Sequence, residues 1–153
     1  MKILELKVPP LLLVLLIGCA MGVASNFAVR LDVPEPVRIL GALTLALTGG
    51  GIAASGTSAF RQAKTTVNPL APEKSSALVS TGIYGVTRNP MYLGMMLVLA
   101  GWSVFLASGP AFLGLPGFVL YMGRFQIAPE ESMLAKLFGT EYLDYKRTVR
   151  RWL

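Results

Sequence analysis

The sequence has no histidine, a single cysteine and few charges, with only 14% of its 153 residues being Asp, Glu, Lys or Arg. Lack of histidine excludes the usual zinc clusters, and Cys19 alone excludes an intramolecular disulfide. Aromatic residues are sparse too, at 9%, and no stretch interleaves them with cations as a nucleic-acid surface does. The net charge of +6 is therefore read as contact with anionic lipid headgroups. What the chain holds in excess is apolar residues, 54% of the total, with a mean hydropathy of +0.60. That balance lies outside the range of an ordinary soluble domain.

Continuous apolar runs account for the excess. A helix needs about 20 apolar residues at roughly 1.5 Å rise to cross the hydrocarbon of a bilayer. Four segments fit, at residues 8–28, 37–60, 91–108 and 111–127. Pro9 and Pro10 suit a first turn, whereas Pro116 is expected to kink the fourth span. The prediction is a single all-α integral membrane domain over 1–153: four transmembrane helices, a loop at 61–90, and a C-terminal amphipathic interfacial helix at 129–153. Lys2, Lys7 and the "LIGC" run ending at Cys19 imitate a lipoprotein signal, but a retained first helix is the better reading, because the chain beyond Cys19 is further membrane helix and not a soluble cargo. Placing both termini and the central connection in the cytoplasm puts every one of the 14 cations there except Arg30 and Arg38. The positive-inside rule favours that topology, with the polar functional residues on the cytoplasmic side.

Two polar segments gather on that side. The central connection contains "GIYGVTRNPMYLG", Gly82 to Gly94, and it is longer than a membrane turn requires. Asn89-Pro90 is predicted to hold the chain extended before the third helix. Arg88, Tyr84 and Tyr92 at the mouth of that helix are either interfacial anchors or the walls of a ligand site. The tail, "PEESMLAKLFGTEYLDYKRTVRRWL", is predicted to start a helix at Pro129, with a break available at Gly139. Leu134, Leu137 and Phe138, then Tyr142, Tyr145, Val149 and Trp152, form its apolar stripe, and its cations and Trp152 would anchor it among headgroups. Glu130 and Glu131 stand at the membrane boundary, where two adjacent acids either cap the helix or bind a cation.

Taken together, these segments resemble the isoprenylcysteine carboxyl methyltransferase family, which is related to the phospholipid N-methyltransferases. The resemblance runs from Leu78 to the C-terminus. It rests on Leu78-Val79, Gly82-x-Tyr84, Arg88-Asn89-Pro90-x-Tyr92-x-Gly94, Glu130-Glu131 and Phe138-Gly139-x-x-Tyr142-x-x-Tyr145. It implies an integral membrane enzyme that uses S-adenosylmethionine without a Rossmann domain and methylates a lipid-borne or small hydrophobic acceptor. It also implies that Leu78 and Val79 offer backbone contacts to the cofactor, with Ser76 at a further cofactor position. Tyr84 and the Asn89-Pro90-Met91-Tyr92 run would line the cofactor, and Glu130 would bind its polar end with Glu131 in support. Arg88, Arg124 and Gln126 fall where the family orients its substrate, and Arg124 and Glu130 are the residues assigned to catalysis. The chain departs from the family pattern at three places. Asn89 replaces a frequent His, Gln126 stands at the family's Arg position, and Ser76 replaces another His. Asn89 cannot titrate near neutral pH, so it is assigned no general-base role.

Methyl transfer from a sulfonium requires neither a metal nor a covalent intermediate, which suits a chain without histidine. An anionic acceptor needs no base, while an amine acceptor must first lose a proton, and so a phospholipid amine is the alternative substrate. A non-catalytic four-helix scaffold or transporter subunit is the remaining alternative. None of the four spans contains an acid, which argues against transport. Gly49-Gly50-Gly51 is read as helix packing, because no lysine follows it to make a phosphate loop.

Overall fold

The computed structural model describes residues 5–63 and 76–153, so Lys2, Lys64, Lys74 and part of the 61–90 connection lie outside the described residues. Among the described residues the chain is all helical: α1 (Pro10–Ser25), α2 (Glu35–Gln62), α3 (Pro90–Leu106), α4 (Gly114–Tyr121) and α5 (Ala128–Thr148). Short 3₁₀ turns at Gly82–Gly85 and Gly109–Leu113 and a π-helical stretch at Met122–Ile127 complete it. Pro10, Pro36 and Pro90 each sit in the first turn of a helix, where the missing N–H costs nothing.

α3 is central. α2 packs along it through a seam without side chains: a Cβ on Gly49 would stand 2.5 Å from the Gly94 carbonyl oxygen, and one on Gly101 would stand 2.7 Å from that of Ala42. Small residues let the two backbones approach, the usual means of helix association where no hydrophobic effect operates. The packing reading therefore holds for Gly49, while Gly50 and Gly51 face open space. α1 and α4 also pack on α3, burying Leu13, Met21, Leu99, Phe118 and Met122 in one core. The indole of Trp102 ties α3 to α1 by donating to the Gly18 carbonyl at 3.0 Å. Large apolar side chains on the outside, Leu11, Leu15 and Leu16 of α1 and Leu40, Leu43 and Leu47 of α2, stay exposed as they do on a surface built to meet lipid.

Two stretches are long and apolar enough to cross a membrane, the 28 residues of Glu35–Gln62 and the 40 residues of Gly109–Thr148. α1 and α3 are shorter, with 16 and 17 residues. The second long stretch corrects the expected boundary before the tail. The helix does not restart at Pro129: the helical run from Gly109 passes through it and continues to the break at Gly139. Pro116 likewise lies inside that run, as the third residue of α4. The irregularity is instead the π stretch, whose extra residue per turn shifts the following face of the helix. At roughly 1.5 Å per residue, a 40-residue helix is about twice as long as the hydrocarbon is thick. Its first half is the apolar part, while α5 carries Glu130, Glu131, Lys136, Glu141, Asp144, Lys146 and Arg147.

The tail departs from expectation once more. Gly139 does break the helix, with φ 52° and ψ −124°. The helical stripe, however, ends at Thr148. Val149 is extended at φ −115° and ψ 134°, and the last residues turn back across the start of α3. Trp152 packs against the bundle core, so it is not free to anchor in headgroups.

Candidate active site

Four pieces of chain meet at one end of the bundle: the Gly82–Gly85 turn, the start of α3, the junction of the π stretch with α5, and the extended segment after Thr148. Their polar side chains form two neighbouring sets, one around each of the adjacent carboxylates.

Glu130 lies against α3. The Tyr92 hydroxyl donates to its Oε1 at 2.6 Å, and the Gln126 side-chain nitrogen donates to the same oxygen at 2.7 Å. Oε2 takes neither bond. Burial pushes the Glu130 carboxyl up to about 7, with the charge of Glu131 adding to the rise and the two hydrogen bonds opposing it. Gln126 and Glu130 are brought together by their i,i+4 spacing across the junction, and Gln126 is itself buried.

Glu131 faces the other way. Arg88 donates to its Oε1 at 2.9 Å, and Arg151 grips both oxygens, Nε to Oε1 at 3.0 Å and a terminal nitrogen to Oε2 at 2.7 Å. Lys146 stands 3.5 Å from Oε2. Burial alone would raise this carboxyl, but the hydrogen bonds and charges of Arg151 and Arg88 more than reverse it and hold Glu131 at about 2. A carboxylate enclosed in this way has no free valence for a ligand. Helix capping is not what occupies either acid, since both are held by side chains from other parts of the chain.

Tyr84 completes the Glu130 side. Its ring is buried edge-on against Phe60 at 5.2 Å, and its backbone carbonyl accepts a hydrogen bond from the Tyr145 hydroxyl at 2.7 Å. Its own hydroxyl is buried and, among the described residues, has no hydrogen-bond partner. Burial, with Tyr145 and Glu130 nearby, pushes that hydroxyl far above the ordinary phenol range, so it stays a neutral donor. An orphaned buried donor costs roughly 1–3 kcal/mol, which a bound acceptor atom would recover.

The other expected site residues divide. Val79 is buried beneath the turn, Leu78 is half-buried, and Ser76 is exposed. Pro90 and Met91 face α2, packing around Gly56, and the Thr57 hydroxyl lies 3.6 Å from the Met91 sulfur. The Asn89 side-chain amide donates to the Arg151 carbonyl at 2.9 Å. Arg88, expected to orient a substrate, directs its terminal nitrogens to Glu131 and to the Lys146 and Val149 carbonyls. Arg124 is not brought to the cluster at all. It is exposed, pairs with Glu5 at 3.5 Å and lies over the Phe125 ring. Sequence reasoning missed Tyr145, Lys146, Thr87 and Arg151. Tyr145 belonged to a quoted motif and could have been found from it. Arg151 gives no local signal, since its partner lies 20 residues away.

Comparison with known proteins places this architecture in a class. The family model for phospholipid methyltransferases matches residues 37–141, which takes in most of both long helices together with Tyr84, Tyr92, Gln126, Glu130 and Glu131. The chain belongs to that family. A protein of Haemophilus influenzae described as uncharacterized is 48% identical over 63 residues, covering 41% of this chain and 100% of that protein. The protein-S-isoprenylcysteine O-methyltransferase of Saccharomyces cerevisiae is 34% identical over 80 residues, 50% of this chain and 32% of that enzyme. The enzyme of the same name from Xenopus laevis is 37% identical over 78 residues, 49% of this chain and 26% of that one. The chain thus spans only about a third of the length of the named methyltransferases that it matches. No solved structure matches it.

Proposed function

We propose that the chain is an integral membrane S-adenosylmethionine-dependent methyltransferase acting on a lipid-borne or small hydrophobic acceptor, with isoprenylcysteine carboxylate as the nearest chemical type. The observation that carries the reading is the half-open Glu130, pinned on one oxygen by Tyr92 and Gln126 beside the Tyr84 hydroxyl, which has no partner among the described residues. Membership of a methyltransferase family and the named relatives support it.

The residues fit the cofactor. Oε2 of Glu130 suits its ammonium group, and the buried Tyr84 hydroxyl suits one of its acceptor atoms. Tyr84, Tyr92 and the backbone at Leu78 and Val79 provide the rest of the wall. When bound, S-adenosylmethionine supplies an electrophilic methyl group. The chain's part is to hold that group, to exclude water with the Phe60–Tyr84 pair, and to keep the acceptor in line. Glu131 and Arg88 neutralise each other and support this wall from behind. Arg124, outside the cluster, is left as a contact for the acceptor or for headgroups.

In this reading α1, α2, α3 and the first half of the long helix form four spans of one domain, with both termini and the site in the cytoplasm. The arrangement of cations supports that orientation. A phospholipid amine is the second acceptor, favoured by the description of the matching family. Calorimetry in detergent tests the assignment: S-adenosylmethionine should bind the intact protein and lose most of its affinity in Glu130→Ala and Tyr92→Ala. Absence of binding to the intact protein, or equal binding by the variants, would overturn it. A methyl-transfer assay over prenylcysteine analogues and lipid extracts then decides the acceptor.

A further inference from the structure

The Tyr92–Glu130 bond joins residues 38 apart, one on α3 and one on α5. A second connection lies directly beneath it. The extended segment after Thr148 is bonded to the stretch before α3 at four points, one of them the Arg88 side chain on the Val149 carbonyl. The Arg88 amide donates to the Arg150 carbonyl at 3.0 Å, and the Thr87 hydroxyl and Asn89 side chain donate to the Arg151 carbonyl at 3.3 and 2.9 Å. The Arg151 side chain then reaches back and takes both oxygens of Glu131, the residue next to Glu130. One residue therefore holds the approach to α3 with its backbone and the start of α5 with its guanidinium.

We propose that Arg151 is a positioning residue that staples the start of α3 to the start of α5 and so keeps Tyr92 and Glu130 at bonding distance. The two-oxygen grip requires the planar fork of arginine, because an ammonium offers one point charge without fixed direction. The staple also gives Asn89 a purpose. Its amide donates to a carbonyl of the chain end, so it acts in the clamp and not at the ligand. Thr87, fully buried, fixes the local turn by accepting from the Asn89 amide at 3.2 Å while donating to the strap. The consequence for donor binding rests on the methyltransferase reading above, but the staple itself does not.

Hydrogen exchange, donor affinity and thermal melting should therefore be measured together on the full chain in detergent micelles, for wild type, Arg151→Ala and Arg151→Lys. Exchange is read over the peptide containing residues 84–92, and S-adenosylmethionine is the probe for affinity. In Arg151→Ala exchange there should quicken by about tenfold, as a local opening does, while exchange in α1 stays as in wild type. Donor affinity should fall by roughly tenfold, and Arg151→Lys should recover part of both changes. Unchanged exchange over 84–92 in Arg151→Ala overturns the staple, whatever happens to affinity. So does an equal rise in exchange throughout the chain with no recovery in Arg151→Lys, which would mark Arg151 as merely structural. Quickened exchange confined to 84–92 in a protein whose wild type binds no donor would uphold the staple and overturn the methyltransferase reading instead.

Discussion

Glu130 and Glu131 are neighbours in sequence, yet they stand in opposite surroundings. The Glu131 side is closed: three cations enclose one carboxylate, and its pKa is held at about 2. The Glu130 side is open: two neutral donors share one of its oxygens, a third donor nearby has no partner among the described residues, and burial pushes the carboxyl up to about 7. A polar cluster whose groups are all satisfied holds a fold together. One that is left incomplete is prepared to take something up. Under the proposed function, the contrast separates the acid that builds the site from the acid that serves it.

The largest effect should come from the closed side. Glu131→Ala leaves Arg88, buried with its side chain only 9% exposed, without a counter-charge. Breaking a buried pair in this way is expected to cost about 3–5 kcal/mol, read as a lower unfolding midpoint in detergent. Glu130→Gln should instead keep or raise stability near neutral pH and weaken S-adenosylmethionine by about a hundredfold, roughly 2.7 kcal/mol. If the two variants lost stability equally, the division between the two sides would be wrong.

Smaller effects sharpen the contrast. Tyr84→Phe removes a hydroxyl that has no partner among the described residues, so stability should hold while donor or acceptor affinity drops by about tenfold. The pH dependences should run in opposite directions. Glu131 is depressed from 4.5 to about 2, so its stabilisation is complete above pH 4.5 and is lost as the pH falls towards 2. Glu130 is raised from 4.5 to about 7, so the stability that it contributes is complete below pH 4.5 and is lost as the pH rises through 7. Unfolding of Glu130→Gln followed over pH 4.5 to 7 should lack that decline.

Much of this was legible in the chain. Apolar run length located the helices, and the paired motifs around Tyr84, Tyr92 and Glu130 located the end of the bundle where the polar groups meet. The errors had physical causes. Pro116 and Pro129 read as breaks, yet both lie within the helical run from Gly109, one just after the 3₁₀ turn and the other just after the π stretch. Val149 and Trp152 continue a helical spacing, and periodicity cannot show that the chain leaves the helix at Thr148 to pair with residues 87–89. Periodicity is equally silent on the bond from Arg88 to Glu131, 43 residues away, a contact set by the tertiary fold. The π stretch that precedes the Glu pair leaves no compositional trace.

The measurement that bears most directly on the account is S-adenosylmethionine binding by calorimetry across pH 5 to 9, on wild type and Glu130→Gln in detergent. If Glu130 receives the cationic end of the donor, wild-type affinity should rise as the pH passes through about 7, where that carboxyl ionises. The variant should bind weakly and without that rise. Equal affinity in the two proteins at every pH would contradict the central claim that the open carboxylate is the donor's anchor.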